Sequence, residues 1–341
     1  MQRCVLINIY KNDILNTTID VVNNYYLVLM NIQQFQYVIA VVDSKNFETA
    51  AERCFITQST LSTMIGRFEN EIGIKIFNRK TKPVSLTTEG KAVVKRLRIV
   101  LNEIDSLDNV IQDLKGEMTG ELKIGIIPTI APYILPLFLV GFSNKFPNVN
   151  ITVEEITTPQ IKEGLLTRTL DVGLLALPIE DPNLLEYEIY KEPFLVYDCR
   201  KERNNKKITV DNLDYSKLWL LQKGHCLRSQ VFKICEQSCK KPEGDRNFKF
   251  ESGSMGSLVR FTKTSEGMTI LPYLASLDLP VDDQNNLVEF EHPVPVRSVG
   301  LLTHKFFVKK KLLEELIKTL EESVSELLPS KPKKAQVLKP F

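Results

Sequence analysis

Apolar residues in the N-terminal third recur at helical spacing in three successive runs. The run from Ile32 to Val42 predicts a first helix, and Ala50 and Ala51 lie on a second, where their small side chains allow close approach. Thr57 is a suitable N-cap for a third helix. The inner face of that helix consists of Leu61, Ile65, Phe68 and Ile72. Together these runs predict a helix-turn-helix unit.

The outer face of the third predicted helix is polar, and a basic stretch follows it. Eight Lys and Arg residues lie between Lys75 and Arg98, against Glu89 alone, and residues 80–87 have the pattern of a winged hairpin with a basic tip. The residues predicted to contact base edges and phosphates are Thr57, Gln58, Ser59, Thr60, Ser62, Thr63, Arg67, Arg79 and Lys82. A small helical bundle with a solvated polar face is the alternative interpretation.

The next segment has apolar residues at alternating spacings of four and three. This heptad pattern predicts a long linker helix that pairs with a second copy of the chain. The predicted dimerisation residues are Val93, Leu97, Val100, Ile104, Leu107, Ile111 and Leu114. The alternative is a helix packed on its own domain.

From Glu121 onward, short apolar strands alternate with helices. The predicted elements are strand 122–127, helix 135–142, strand 150–155, helix 159–169, strand 172–177, strand 194–197, strand 218–221, helix 229–236, strand 248–250, helix 255–262, strand 268–271, strand 299–303 and helix 311–328. The alternation predicts a parallel sheet with crossover helices, repeated in two lobes with a cleft between them.

These patterns predict an α+β multidomain chain. Residues 30–87 form a winged helix-turn-helix domain, 88–117 a dimerising coiled-coil linker helix, and 120–328 a two-lobed α/β domain. Lobe one comprises residues 120–192 and 294–328, lobe two residues 193–293, and residues 329–341 are expected to be a mobile tail. Because helical periodicity begins at Met30, we expect the native protein to start there and residues 1–29 to be a non-native extension.

The composition is ordinary for a globular protein and excludes several classes. Over 341 residues, 43% are hydrophobic, 25% are charged and the formal net charge is +2, so any nucleic-acid partner must be recognised by a local basic cluster. No apolar run approaches bilayer length, which predicts no membrane partner. Six cysteines without a secretory signal predict a reduced, cytoplasmic protein. We see no metal-ligand spacing and no phosphate-binding glycine loop, and predict no metal, nucleotide or haem cofactor.

Cys226 and Cys235, nine residues apart, are the candidate redox pair. His225 and Arg228 flank Cys226 with groups that favour a thiolate, which makes a cysteine more nucleophilic and more easily oxidised. Thr129 and Thr158 follow two predicted strands, so their hydroxyls are expected at the cleft. Unreactive buried thiols, and threonines that cap helices, are the alternatives.

Several motifs of the N-terminal segment resemble the DNA-binding domain of LysR-type transcriptional regulators. They are Phe47-Glu48-Thr49-Ala50-Ala51-Glu52, Thr57-Gln58-Ser59-Thr60-Leu61-Ser62, Glu69-Asn70-Glu71-Ile72-Gly73, Phe77-Asn78-Arg79 and Leu86-Thr87-Thr88-Glu89-Gly90. Ser59 stands where that family most often has proline. The resemblance implies a linker-helix dimer, often assembled into tetramers, and a two-lobed effector domain similar to periplasmic binding proteins.

Two further motifs resemble the peroxide-sensing members of the same family. They are residues 125–129 with 132–136, and Gly224-His225-Cys226-Leu227-Arg228-Ser229-Gln230 with Cys235. The resemblance implies that Cys226 reacts with peroxide, that Cys235 resolves it as a reversible disulfide, and that Thr129, Thr158, His225 and Arg228 bind and polarise peroxide. Ser229 stands where those members commonly have aspartate, and Cys239 is a possible competitor of Cys235.

The sequence therefore predicts a transcription factor, not an enzyme, that activates antioxidant genes when oxidised by hydrogen peroxide. Its expected partners are promoter DNA, further copies of itself as homodimer or homotetramer, RNA polymerase, and a thiol reductant such as glutaredoxin or thioredoxin. One alternative is a LysR-type regulator that binds a small organic effector in the cleft, with incidental cysteines. A thiol peroxidase is another, although the helix-turn-helix and the heptad pattern have no purpose in it.

Overall fold

Three short helices, a hairpin and the start of a long helix make up the N-terminal unit. The structure is a computed structural model that describes residues 31–115, 118–202, 207–236, 248, 250–330 and 334–340, without the side chains of residues 105, 106, 108–110 and 112–115. The elements of the first range are α1 (Ile32–Ser44), α2 (Phe47–Arg53), α3 (Gln58–Glu71), β1 (Phe77–Asn78), β2 (Ser85–Leu86) and α4 (Thr88–Lys115). Strands β1 and β2 pair antiparallel, so the helix-turn-helix and its wing are both present.

Side-chain caps determine where the three short helices begin. Asn31, Asn46 and Thr57 each accept a backbone N–H from the first turn of the following helix, at 2.9, 2.8 and 3.2 Å. Each such cap satisfies a donor that has no partner within the helix and contributes about 1 kcal/mol. The prediction that Thr57 caps the third helix is confirmed.

The linker helix α4 packs partly on its own domain. Val94 and Leu97 of α4 are only 5% and 6% exposed, in the same apolar core as Ala50, Leu61 and Phe68. The alternative interpretation, a helix packed on its own domain, therefore holds for the first turns of α4. The chain divides into two compact units after Asp105, within α4.

The C-terminal unit contains strands and helices in alternation. Its elements are β3 (Gly120–Ile126), α5 (Ala131–Lys145), β4 (Val149–Glu155), α6 (Thr158–Leu166), β5 (Val172–Leu177), β6 (Leu184–Asp198), α7 (Cys226–Glu236), α8 (Met255–Thr264), β7 (Met268–Pro272), α9 (Tyr273–Leu277), α10 (Val281–Gln284), β8 (Leu287–Glu289), β9 (Val294–His304), α11 (Lys310–Ser325) and β10 (Ala335–Val337). Among the described helices, none is long and apolar enough to cross a bilayer.

Two long antiparallel strands, β6 and β9, connect the two lobes. Strands β4, β3 and β5 pair in parallel as predicted, but β5 pairs antiparallel with β9, and β9 with β6. The prediction of a parallel sheet is therefore wrong for the strands that join the lobes. Strand β6 pairs with β9 as far as Pro193 and with β7 from Phe194, next to the predicted lobe boundary. Each lobe has its own apolar core.

Two strands predicted in lobe two are not strands in the described residues. Leu218 and Leu221 make only isolated bridges, and Phe248 packs its ring 5.9 Å from that of Trp219 without strand pairing. Leu218 and Leu221 are buried in the core of lobe two whereas Phe248 is 56% exposed, and periodicity alone does not distinguish these arrangements from strands.

The prediction of a mobile tail is wrong for residues 334–340. Strand β10 pairs in parallel with the first residues of β9, and the Leu338 N–H donates to the Val296 carbonyl at 2.9 Å. Leu338 is 4% exposed and belongs to the core of lobe two. One apolar side chain and a short ladder of backbone hydrogen bonds thus dock a segment whose Lys and Pro content suggested mobility.

Candidate functional site

Cys226 is the first residue of α7 and lies where the two lobes meet. Gly224 has φ 102°, in the left-handed region that favours glycine, and this turn leads the chain into the helix. Cys226 is 2% exposed and packs in the apolar core of lobe one, whereas Leu227 and Val231 of the same helix pack in that of lobe two. Cys226 therefore lies within the sequence of lobe two, but its side chain packs in the core of lobe one.

The surroundings of the Cys226 thiol act on its pKa in opposite directions. Burial has the largest effect and raises the pKa above its usual value, because it disfavours the thiolate. The Arg297 guanidinium, the hydroxyls of Thr158 and Thr129, and the Leu227 N–H all lower the pKa. His225 and Arg228, the flanking groups expected to favour the thiolate, are not among these, and desolvation outweighs those that are, so the pKa of the thiol is raised overall.

The two predicted threonines face this thiol. Thr129 follows β3 and Thr158 begins α6, and they are 1% and 3% exposed. The Thr129 hydroxyl accepts from the Arg297 guanidinium at 3.3 Å. The Thr158 hydroxyl hydrogen-bonds to the Cys226 thiol, and this bond lowers the pKa of the thiol.

Arg297 is a site residue that the sequence analysis missed. It is fully buried on β9, and its Nη2 lies 2.8 Å from Oε1 of the fully buried Glu192. It also donates to the Thr129 carbonyl at 3.1 Å, while Glu192 accepts the Leu274 N–H at 2.8 Å. The available signal was a charged residue just before the predicted strand 299–303, because an arginine that is buried there must be paired.

Neither His225 nor Arg228 is among the groups that lower the pKa of the Cys226 thiol. His225 is 8% exposed, and its pKa is lowered by burial against the opposing effects of Glu155 and the Gly253 backbone, so its imidazole is neutral at pH 7. Arg228 instead donates to the Leu221 carbonyl and to the Glu251 carboxylate, the latter at 3.1 Å. The cation beside the thiol is therefore Arg297 and not Arg228.

Cys235 lies in the last turn of α7 and is 1% exposed in the core of lobe two. Nine residues of α-helix rise about 14 Å and turn about two and a half times, so the two cysteines leave the helix on opposite sides. A disulfide needs Cα atoms about 4.4–6.8 Å apart. The pair therefore cannot form a disulfide while α7 is helical.

Beside the thiol lies a cleft of about 540 Å³ between the lobes. Its polar lining includes Thr129, Tyr133, Glu155, His225, Arg260, Lys263, Asp278 and Asp283. Burial, followed by Asp278, raises the pKa of Tyr133 to about 12, so its phenol is a hydrogen-bond donor at pH 7. The volume and mixed lining suit a small polar ligand.

In the N-terminal unit, most of the predicted DNA-contacting residues are accessible. Gln58, Ser59, Thr60, Thr63, Arg67, Arg79 and Lys82 are exposed, Ser62 is half-buried, and Thr57 is exposed but caps α3. Arg79 joins the wing to α3 because its Nη1 donates to the Ser62 hydroxyl at 2.7 Å. The buried Glu69 accepts the N–H groups of Ile76 and Phe77 at 2.8 and 3.2 Å, which holds the wing against the same helix.

The predicted dimerisation residues fall into two groups. Leu97 lies in the core of the N-terminal domain and Val93 packs against that core, so neither side chain is fully available to a second copy of the chain. Val100, Leu107 and Ile111 are 41%, 58% and 42% exposed, and Ile104 is half-buried.

The side chain of Leu114, residues 1–29 and Cys239 lie outside the described residues. Within the described ranges, no His, Cys, Asp and Glu cluster could hold a metal ion.

Two family models match this chain. The lysR-family bacterial regulatory helix-turn-helix model matches residues 32–91, and the LysR substrate binding domain model matches residues 115–325, more than half of the chain. The chain belongs to the LysR family of transcription regulators. The family membership and the two-part fold predicted from its motifs are thereby confirmed.

Relatives of this LysR-family protein include more than one kind of regulator. It is 30% identical to a hydrogen peroxide-inducible genes activator of Dickeya chrysanthemi, over 80% of this chain and 89% of that protein. It is 33% identical to the transcriptional regulator EstR of Acinetobacter baylyi, over 81% of this chain and 91% of that protein. A full-length OxyR variant from Pseudomonas aeruginosa superimposes with a TM-score of 0.68 at 26% identity, covering 86% of this chain and 98% of that one.

Proposed function

We propose that this LysR-family protein is a cytoplasmic transcription factor that senses hydrogen peroxide through Cys226 and Cys235 and activates antioxidant genes when oxidised. One observation carries the proposal: Cys226 is buried beside two threonine hydroxyls and a guanidinium, and it shares helix α7 with a second cysteine. Similarity to a hydrogen peroxide-inducible genes activator supports it.

The reaction begins with the Cys226 thiolate. Its sulfur attacks one oxygen of hydrogen peroxide, the O–O bond breaks, and the leaving hydroxide takes a proton to become water. Because negative charge develops on that oxygen, donors at the site lower the barrier. The hydroxyls of Thr129 and Thr158 and the Arg297 guanidinium are suitable donors.

The second step converts the chemical change into a structural one. The Cys235 sulfur attacks the Cys226 sulfenic acid, the S–S bond forms, the S–O bond breaks and water leaves. Because the helix keeps the two sulfurs apart, residues between them must leave the α7 conformation. A disulfide across about ten residues is worth roughly 2–3 kcal/mol in the chain-entropy model, comparable to a typical allosteric coupling energy.

The DNA-binding unit supplies the output. We propose that Gln58 and Ser59, exposed in the first turn of α3, contact bases and that the exposed Lys82 of the wing contacts phosphates. Val100, Leu107 and Ile111 present an apolar stripe suited to a homodimer, and a homotetramer of two such dimers would rearrange on oxidation. RNA polymerase is the proposed downstream partner, and glutaredoxin or thioredoxin the proposed reductant.

A second candidate function is regulation by a small organic effector. The cleft of about 540 Å³ is large for peroxide, and its mixed charged lining favours this candidate. In that case oxidation of Cys226 would have no effect on DNA binding.

The test combines mass spectrometry with footprinting on DNA fragments selected by the protein. Stoichiometric peroxide is added to the wild type, Cys226→Ser, Cys235→Ser and, as a matched control, Cys199→Ser, which alters a half-buried thiol outside α7. We expect a Cys226–Cys235 disulfide and a changed footprint in the wild type and in Cys199→Ser only. An equal footprint change in Cys226→Ser would refute the thiol switch, and sustained peroxide consumption without specific DNA binding would indicate a thiol peroxidase.

A further inference from the structure

Gln230 is a fully buried amide in the middle of α7, four residues after Cys226 and five before Cys235. Its Nε2 donates to the backbone carbonyl of Leu338 at 3.0 Å. Its Oε1 has no conventional hydrogen-bond partner among the described residues. Burying an amide is costly unless it is paired, so the bond to Leu338 is the contact that makes this position tolerable.

The segment that Gln230 holds, residues 334–340, touches both lobes, and we call it the C-terminal strap. Strand β10 of the strap pairs with β9 at residues 294–296, and Leu338 lies in the same apolar core as Cys235. Beyond it, the Lys339 ammonium lies 2.6 Å from the carboxylate of Glu180 in lobe one. The strap is therefore attached to α7, to the strand that carries Arg297, and to the opposite lobe.

We propose that the C-terminal strap restrains α7 in its helical form and so sets the rate at which Cys235 reaches the oxidised Cys226. Gln230 is the positioning residue that transmits this restraint. The inference rests on the proposed function, because it concerns the second step of that reaction. It adds a role for a segment and a residue that the redox chemistry does not itself require.

The geometry explains why the restraint acts on one step only. Forming the S–S bond takes residues between the two cysteines out of the helix, and Gln230 is among them. Its departure leaves the buried Leu338 carbonyl without a donor, which weakens docking of the strap by about 5- to 150-fold. Attack of the Cys226 thiolate on peroxide, with cleavage of the O–O bond, needs no such movement.

The test measures the two steps separately in the full chain. After mixing with peroxide, the Cys226 sulfenic acid is trapped with a carbon nucleophile in the Cys235→Ser background, and disulfide formation is followed by rapid quenching and mass spectrometry. In Gln230→Met, which keeps the volume and removes the donor, we expect disulfide formation to be about 5- to 150-fold faster. Sulfenic acid formation should stay within about twofold. Lys145→Ala, which removes an exposed ion pair with Glu315 outside the strap, is the control and should change neither rate.

Two further measurements make the result independent of how well that variant folds. Amide exchange at Val337 and Leu338 should accelerate when the wild type is oxidised, and should not change in Cys226→Ser. Deleting residues 330–341 should accelerate disulfide formation as much as Gln230→Met, and combining the two changes should add nothing further.

The outcomes distinguish this proposal from the function on which it rests. If peroxide forms no sulfenic acid on Cys226, the proposed function fails. If the sulfenic acid forms normally but Gln230→Met and the deletion leave the disulfide rate unchanged, or if the strap amides keep their protection on oxidation, the strap proposal is overturned.

Discussion

The buried ion pair of Arg297 and Glu192 offers a quantitative test of how Cys226 is activated. Arg297→Gln removes a cation that is fully buried and 2.8 Å from a fully buried carboxylate. Glu192 then keeps the N–H of Leu274 but loses its charge partner. Leaving one charge of such a pair uncompensated costs about 3–5 kcal/mol, so the single variant should be strongly destabilised.

The same substitution should also slow oxidation of Cys226. The guanidinium lowers the pKa of the thiol against the larger opposing effect of burial, so its loss raises that pKa further. Below the thiol pKa, each unit of upward shift decreases the thiolate fraction about tenfold. The rate of peroxide attack should fall in proportion, because the thiolate is the nucleophile.

A double variant separates stability from reactivity. Arg297→Gln with Glu192→Gln removes both charges, so it should regain most of the stability lost in the single variant while keeping the slow oxidation. The assay is sulfenic acid formation against pH in the Cys235→Ser background, with melting temperature measured in parallel. Because the thiol pKa is raised, the rate should increase with pH in the parent protein, and the curve of the double variant should be displaced to higher pH.

Arg228→Gln is the matched control, since it removes a guanidinium that interacts with Leu221 and Glu251 instead of the thiol. Its rate–pH curve should coincide with that of the parent. If the double variant and the parent also coincide, Arg297 does not stabilise the Cys226 thiolate and the argument fails.

Three other changes test separate parts of the structure. Thr158→Val removes the hydroxyl that hydrogen-bonds to the Cys226 thiol and lowers its pKa, so sulfenic acid formation should slow, while the melting temperature should stay nearly constant because this hydroxyl has no nitrogen or oxygen partner among the described residues. Phe55→Gly should stabilise the N-terminal unit by about 1 kcal/mol in urea unfolding, because Phe55 is 94% exposed and has φ 55°, a left-handed conformation that glycine adopts without strain. Lys82→Ala should weaken binding to all DNA sequences alike and reduce the slope of log affinity against log salt by about 0.9; an unchanged slope would show that Lys82 contacts no phosphate.

The N-terminal domain was predictable because its signals are local. Thr57 caps α3 through the first turn of the same helix, and the apolar spacing of Leu61, Ile65 and Phe68 specifies one buried face. The same reliance on local spacing assigned too many residues to the dimer interface. The heptad includes Leu97, which the domain core already uses, because one apolar position on a helix can face either its own domain or a partner.

The C-terminal unit was less predictable because its decisive contacts join distant parts of the chain. The strands of lobe one follow from their apolar runs, but the antiparallel return of β9 depends on pairing with both β5 and β6. Arg297 meets Glu192 and Thr129 only through that pairing. The docked strap depends similarly on Gln230, which in sequence is one polar residue on an amphipathic helix.

The redox pair depends both on local sequence and on contacts between distant parts of the chain. Cys235 is near Cys226 in sequence but packs in a different apolar core. By contrast, the side chains that tune Cys226 come from the turn after β3, from α6 and from β9, far away in the chain but adjacent in space. In the proposed reaction, a thiol tuned by side chains of lobe one and resolved by a cysteine packed in lobe two completes its oxidation only when α7 leaves its helical packing. Oxidation of Cys226 is therefore better suited to report a signal than to turn over substrate, because each cycle requires α7 to unfold and form again.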